Sequence, residues 1–207
     1  MPVYAPAATV EILARRRRIP PYRALVWGTP EPCAAAPLGE VFAAGELRLR
    51  VVPTPGHAFD HVCLFDAERR WLFSGDLFVH ERVRYLRRIE NPWQHLASLR
   101  RALALEPELM LCAHAGPVAD AQRALRRKIA YLEELAGEAR RLAGGGMAVG
   151  AITRRLLGRE GLFTALSLGD FSKRNLILGL LAEGRGAPAG PERSGSFHGE
   201  GRNSCIQ

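Results

Sequence analysis

The sequence predicts an α/β fold followed by a small, wholly helical unit. Three observations lead there. Residues 1–118 alternate short apolar runs with helical patterns, as layered α/β proteins do. Residues 119–183 carry helical periodicity almost throughout. Residues 184–207 hold six glycines and two prolines with few large apolar groups, and are expected to form a disordered tail.

The elements follow in order. Ala8 to Arg17 reads as a helix, with Thr9 as N-cap and Val10, Ile12 and Leu13 on one face; the arginine run and Pro20-Pro21 end it. Leu47 to Val52 alternates and reads as a strand. His61 to Phe65 and Trp71 to Ser74 are two strands whose short polar separation predicts a hairpin. Asn91 to Leu105 is a helix with Asn at the N-cap and Pro92 at the first helical position, where a missing N–H costs nothing. Leu109 to Cys112 is a short strand. A long helix from Asp120 to Leu142 shows an apolar stripe of Leu125, Ile129, Leu132 and Leu135, and Gly144-Gly145-Gly146 stops it. Val149–Leu157, Gly161–Leu166 and Asp170–Ala182 complete the helical unit, with Asp170 as N-cap of the last helix.

Composition bounds the function classes. The chain has 207 residues, long enough to bury a core without disulfides. No run of 18 apolar residues occurs, so no membrane span or membrane partner is expected, and the N-terminus shows no secretory pattern. Cys33, Cys63, Cys112 and Cys205 lie far apart without CxxC pairing, which points to reduced thiols in a cytoplasmic protein. The net charge of +8 comes almost wholly from arginine, since Lys128 and Lys173 are the only lysines. This skew reads as compositional habit. The clusters Arg15–Arg18, Arg82-Arg84-Arg87-Arg88, Arg126-Arg127-Lys128 and Arg154-Arg155 read as solvated faces, without the interleaved aromatics of a single-strand binding surface.

Three segments carry candidate chemistry: Thr54-Pro55-Gly56-His57-Ala58-Phe59-Asp60-His61, Phe73-Ser74-Gly75-Asp76, and Cys112-Ala113-His114-Ala115-Gly116-Pro117. Each puts a His or Asp at the end of an apolar strand, beside Gly. Strand ends converge on one sheet edge, so two imidazoles and one carboxylate form a ligand set for a divalent metal with an open position. His80 reads as a surface or packed histidine, His95 as an exposed helix position, His198 as part of the tail, and Cys112 as a buried small group.

The succession TPGHAFDH, FSGDLF and AHAGP resembles the metallo-β-lactamase-fold superfamily of metal-dependent hydrolases. The Asp60-His61 pair and the helical end look most like the β-lactamase-like protein 2 branch, whose members carry a winged-helix-like C-terminal unit. The resemblance implies a partial αββα sandwich over residues 1–118, then a helical, winged-helix-like unit over 119–183. It implies that His57 completes the shell of a first metal, that Asp76 bridges two metals, and that His114 completes the second. His61, with Asp60 beside it, matches a position next to the site that orients a ligand or a substrate oxygen; a hydrogen-bonded strand histidine is the alternative for His61.

One departure matters. The family's HxHxDH segment, which supplies four ligands, has no counterpart before His57. The resemblance therefore implies a chain lacking the first strands of the fold, with one zinc or none in place of two. The implied function is a hydrolase in which metal-bound hydroxide attacks an ester, thioester or phosphodiester, with activity impaired in this chain by the missing ligand motif. A small-molecule ester or thioester is the first substrate class, with RNA as a second because the branch includes ribonucleases. The competing class is a non-catalytic remnant that binds or oligomerises, for example as a homodimer through the helical unit or an uncovered sheet edge.

Overall fold

The computed structural model describes residues 2–16 and 19–182; the expected tail and His198 lie outside them. In chain order the elements are β1 (Tyr4–Ala5), α1 (Ala7–Leu13), α2 (Pro21–Trp27), β2 (Ala36–Pro37), β3 (Val41–Ala44), β4 (Leu47–Pro53), β5 (Val62–Asp66) and β6 (Trp71–Gly75). A 3₁₀ turn (Asp76–Phe78) follows, then β7 (Leu86–Arg87), α3 (Pro92–Leu103), β8 (Leu109–Cys112) and β9 (Gly116–Val118). The chain continues with α4 (Ala121–Gly144), α5 (Val149–Leu157), α6 (Leu162–Leu166), β10 (Phe171–Ser172) and α7 (Lys173–Leu181).

Six strands form one sheet in the order β3-β4-β5-β6-β8-β9. All neighbours are antiparallel except β6 and β8, which are joined in parallel through α3. The predicted hairpin is present, with Leu64 opposite Phe73. Asp66 makes its turn: Oδ1 accepts from the Glu68 and Arg69 N–H groups, the side-chain turn that favours Asp at such positions. Across the register, Val52, Cys63, Phe65, Leu72 and Met110 are buried on one face against Leu96, Leu99 and Ala102 of α3 and Leu125, Ile129 and Leu132 of α4. On the other face Val51, Leu64, Phe73 and Leu111 lie opposite one another as a half-buried apolar row.

The helix ends follow the residues that cap them. Asn91 Oδ1 accepts from the N–H groups of Trp93 and Gln94, and Asp120 Oδ1 accepts from that of Arg123. Two expected caps differ. Thr9 lies inside α1, and its hydroxyl donates to the Asp60 carboxylate instead of capping the helix. Asp170 does not cap α7. Ser172 does, accepting from the N–H groups of Arg174 and Asn175.

The physical reason is that Asp170 is engaged by α2. Its carboxylate accepts from the Tyr22 hydroxyl and from Arg23 Nη2 at 2.7 Å. Burial opposes its ionisation, but those hydrogen bonds and the Arg23 charge hold it below the usual carboxylate range. α2 and the β3 strand were not foreseen in the sequence. The first helix ends at Leu13, short of the expected Arg17 and of the arginine run, and the Pro20-Pro21 pair instead starts the second, with Pro21 at its first position.

Lys128 contradicts its expected solvated setting. It is 1% exposed on the apolar side of α4, beneath the 3₁₀ turn. Its ammonium donates to the Leu77 carbonyl at 3.0 Å and sits 5.3 Å from the centre of the Phe78 ring. Burial lowers its pKa to about 8, against the charges of Cys112 and Glu90.

The helical unit is packed into the same core as the sheet: Ile152, Leu157, Leu176, Ile177 and Leu180 belong to one cluster with Leu99 and Leu125. It also reaches the sheet domain through the β7–β10 ladder, which pairs Leu86 with Ser172 and Arg87 with Phe171. Because Ser172 caps α7 from within this ladder, replacing Ser172 by Ala is expected to lower unfolding free energy by about 1 kcal/mol in urea titration, with an unchanged m-value.

Candidate metal centre

The three predicted turns meet at one edge of the sheet. His57 lies in the β4–β5 turn, Asp76 opens the 3₁₀ turn after β6, and His114 lies in the β8–β9 turn. Because β5 begins where β6 and β8 end, all three belong to the same edge.

The His57 turn is fixed by α3. Gly56 adopts φ +134°, and a Cβ there would stand 2.3 Å from the His95 backbone nitrogen, so the close approach requires glycine. The Asn91 N–H donates to Gly56 O at 2.8 Å, and Ser98 Oγ donates to Pro55 O at 2.7 Å. His95 is therefore not the exposed position expected. It is half-buried behind the site, because the glycine turn packs onto the helix there.

Asp76 stands between the two histidines. His57 Nε2 lies 3.3 Å from Oδ2, and His114 Nε2 lies 2.9 Å from Oδ1. Each imidazole addresses a different carboxylate oxygen. The Asp76 side chain is 35% exposed and that of His114 57%, so this edge opens to solvent.

His61 sits beneath. Its Nε2 accepts from the Asp76 N–H at 3.2 Å, which puts the ring proton on Nδ1, 2.8 Å from Thr54 Oγ1. The Thr54 hydroxyl in turn contacts Cys63 Sγ at 3.3 Å. His61 thus orients the aspartate through its backbone. Asp60 holds α1 through Thr9, and its charge acts on His61. Cys112 is buried as expected, its thiol donating to Phe78 O. His80 is exposed, with Nδ1 accepting from the Arg82 N–H at 3.3 Å.

Two residues at the site were missed in the sequence. Glu90 Oε1 lies 3.2 Å from His57 Nδ1, and its side chain is 10% exposed. Arg87 was grouped with solvated arginines, yet its side chain is only 17% exposed, because Glu90 and Phe171 enclose it. Its Nε donates to Glu90 at 2.5 Å, and its Nη2 lies 3.0 Å from both His57 Nε2 and His57 O. The signal was the Arg87-x-x-Glu90 spacing close after the SGD turn.

The donors suit a borderline divalent cation such as Zn²⁺ in kind and spacing. Two ligands of one such ion, each ~2.0–2.2 Å from it, stand ~3–3.4 Å apart, close to both imidazole–carboxylate separations. The donors are few. Each half of the site offers one imidazole and one carboxylate oxygen, and among the described residues no three His, Cys, Asp or Glu side chains form a group able to hold a metal ion. One cation shared by all three ligands is thus not the arrangement found, since the imidazoles address opposite oxygens.

Residues 14–114 match the sequence model of the Metallo-beta-lactamase superfamily. The match spans 101 of the chain's 207 residues, and it is a likeness carried by this segment. It is 33% identical over 91 residues to an uncharacterised protein of Aquifex aeolicus, covering 41% of this chain and 42% of the relative. It is 27% identical over 101 residues to an atrochrysone carboxyl ACP thioesterase of Aspergillus fumigatus, covering 48% of this chain and 31% of the relative. The chain therefore spans less than half the length of these curated relatives. Among solved structures, a metallo-beta-lactamase family protein of Thermus thermophilus superposes with TM-score 0.61 at 22% identity, over 91% of this chain and 70% of the other. A beta-lactamase domain protein of Burkholderia ambifaria superposes with TM-score 0.66 at 21% identity, over 87% and 59%. These likenesses show the fold. Among the described residues no helix is long and apolar enough to cross a membrane.

The histidines behind the site give a pH prediction. Burial, and next the His57 charge, push His61 below its ordinary 6.5, outweighing Asp76, the Thr54 hydrogen bond and Asp60. Burial, then the charges of Lys128, His57 and His61, push His95 further down, against the Leu77 backbone. Depressed histidines bind fewer protons folded than unfolded, so their contribution is full above pH 6.5 and is lost as pH falls below it. Urea unfolding at pH 7.5 and 5.5 is expected to show a drop in stability, smaller in His95→Gln than in the parent; equal drops would contradict the assignment.

Proposed function

We propose that this edge is the metal centre of a hydrolase acting on small-molecule thioesters or related esters. The observation that carries the reading is Asp76, with one carboxylate oxygen turned toward His57 and the other toward His114. A carboxylate so placed suits bridging of two cations, which the resemblance to the superfamily also implies. Zinc is the first candidate, with iron or manganese compatible with the same donors.

His57 with one Asp76 oxygen, and His114 with the other, would each supply two donors to a bound cation. When bound, a divalent cation polarises a carbonyl oxygen and lowers the pKa of water toward neutrality. The chain's own residues do the rest. His61 fixes the Asp76 backbone, and Glu90 beside Nδ1 of His57 favours the tautomer with its lone pair on Nε2, the atom that would ligate, as a carboxylate next to a ligating imidazole does. The exposed His114 side of the edge leaves room for a substrate carbonyl. Thioester is preferred because one relative is named as an acyl-carrier-protein thioesterase.

The test uses the full chain supplied with Zn²⁺, Mn²⁺ or Fe²⁺. Acyl-thioester hydrolysis is followed by thiol release, alongside a phosphodiester and an RNA substrate. Metal-dependent thiol release is expected, with Asp76→Asn lowering it by roughly 100-fold or more and His61→Gln by roughly 10-fold. Cleavage of RNA alone, or thiol release indifferent to metal and to Asp76→Asn, would overturn the reading.

A further inference from the structure

We propose that Arg87 competes with a divalent cation for His57, so that its guanidinium governs how readily the metal centre fills. This deepens the metal-centre reading and rests on it. Arg87 lies in β7, paired with the helical unit, and is held from three directions. Its Nε donates to Glu90, its guanidinium carbon stands 5.9 Å from the centre of the Phe171 ring, and Nη2 meets His57.

The atom that matters is His57 Nε2. Guanidinium nitrogens only donate, so the 3.0 Å contact with Nη2, shorter than the 3.3 Å to Asp76 Oδ2, is made as a hydrogen bond by the tautomer that presents its lone pair at Nε2. The ring proton then lies on Nδ1, beside Glu90 Oε1 at 3.2 Å. This is the tautomer a metal would need at Nε2. Nε2 has one lone pair, and a guanidinium and a cation cannot both use it. Nη2 also donates to His57 O at 3.0 Å, so the guanidinium is seated by two contacts on one residue. The same group adds a fixed positive charge beside the place a dication would enter, and only 17% of its side chain is exposed to solvent that would screen that charge.

Metal binding at His57 therefore includes the cost of moving Arg87 away. A charge-assisted hydrogen bond of this kind corresponds to about tenfold or more in an equilibrium constant. Arg87→Met keeps the aliphatic stem and removes the competitor. Glu90 remains beside Nδ1 in that variant and is freed of its ion pair, so a second background is needed to separate the two effects.

The experiment titrates the full chain with Co²⁺, followed by visible absorption, and with Zn²⁺ by calorimetry, without substrate. Arg87→Met is expected to bind about tenfold more tightly than the parent, and the gain is expected to persist when Arg87→Met is compared in a Glu90→Gln background. Arg87→Lys is expected to fall between, because an ammonium keeps the charge without the planar fork. If Arg87→Met binds no tighter, or its gain vanishes with Glu90→Gln, the competition is wrong while the metal centre stands, provided His57→Ala and Asp76→Asn still weaken binding. If neither His57→Ala nor Asp76→Asn changes Co²⁺ binding, the metal-centre reading itself fails.

Discussion

The site depends on how the chain turns at the end of β6. Asp76, Leu77 and Phe78 form a single 3₁₀ turn, and each is anchored from a different part of the fold. The Asp76 N–H is bound by His61 from the β4–β5 turn, the Leu77 carbonyl by Lys128 from α4, and the Phe78 carbonyl by Cys112 from β8. The turn begins at Gly75 with φ +49°, where a Cβ would stand 3.0 Å from His61 Nε2. Leaving any one of these buried polar groups without its partner costs roughly 1–3 kcal/mol. Three such ties on three consecutive residues hold the Asp76 backbone, and with it the direction of both carboxylate oxygens.

That rigidity explains why two flexible-looking turns can be read as one centre. His57 and His114 are carried by loops, and loops tolerate movement unless something fixes them. α3 fixes the first through Gly56, Pro55 and Asn91. Cys112 fixes the start of the second, its sulfur accepting from the His114 and Ala115 N–H groups at 3.4 and 3.3 Å. A cation shared between an imidazole and Asp76 requires the two donors within a few tenths of an ångström of their final spacing. Preorganisation of this kind is what lets two or three ligands contribute usefully to binding.

The sequence revealed the parts governed by local pattern. Strands β4 to β6 and β8, and helices α3, α4 and α5, follow from alternation, helical period and caps such as Asn91 and Asp120. The turns carrying His57, Asp76 and His114 were legible because Gly and Pro mark them. What was not legible depended on contacts distant in sequence. Asp170 looks like a cap until Tyr22 and Arg23, nearly 150 residues earlier, are seen to claim it. Arg87 looks solvated until β10 packs beside it. Lys128 is the instructive case. It sits three residues after Leu125 and four before Leu132, on the very stripe that marks the buried face, and its charge hid a position the helical period had already assigned.

Packing also changes how the helical unit relates to the centre. By chain order the strands of the main sheet end at Val118 and the long helices start at Ala121, which suggests an appendage. By contact it is continuous with the sheet: α7 packs on α3 and α4, and Trp93 of α3 donates from its indole to Gly179 O of α7 at 3.1 Å. The same α3 sets the His57 turn, and the same unit supplies Phe171 beside Arg87. A shift of α7 relative to the sheet would therefore act on His57 by two routes, through the helix that carries Asn91 and Ser98 and through the strand that carries Arg87. Both routes end on one imidazole, so the helical unit is part of what shapes the centre, although it contributes none of the proposed ligands.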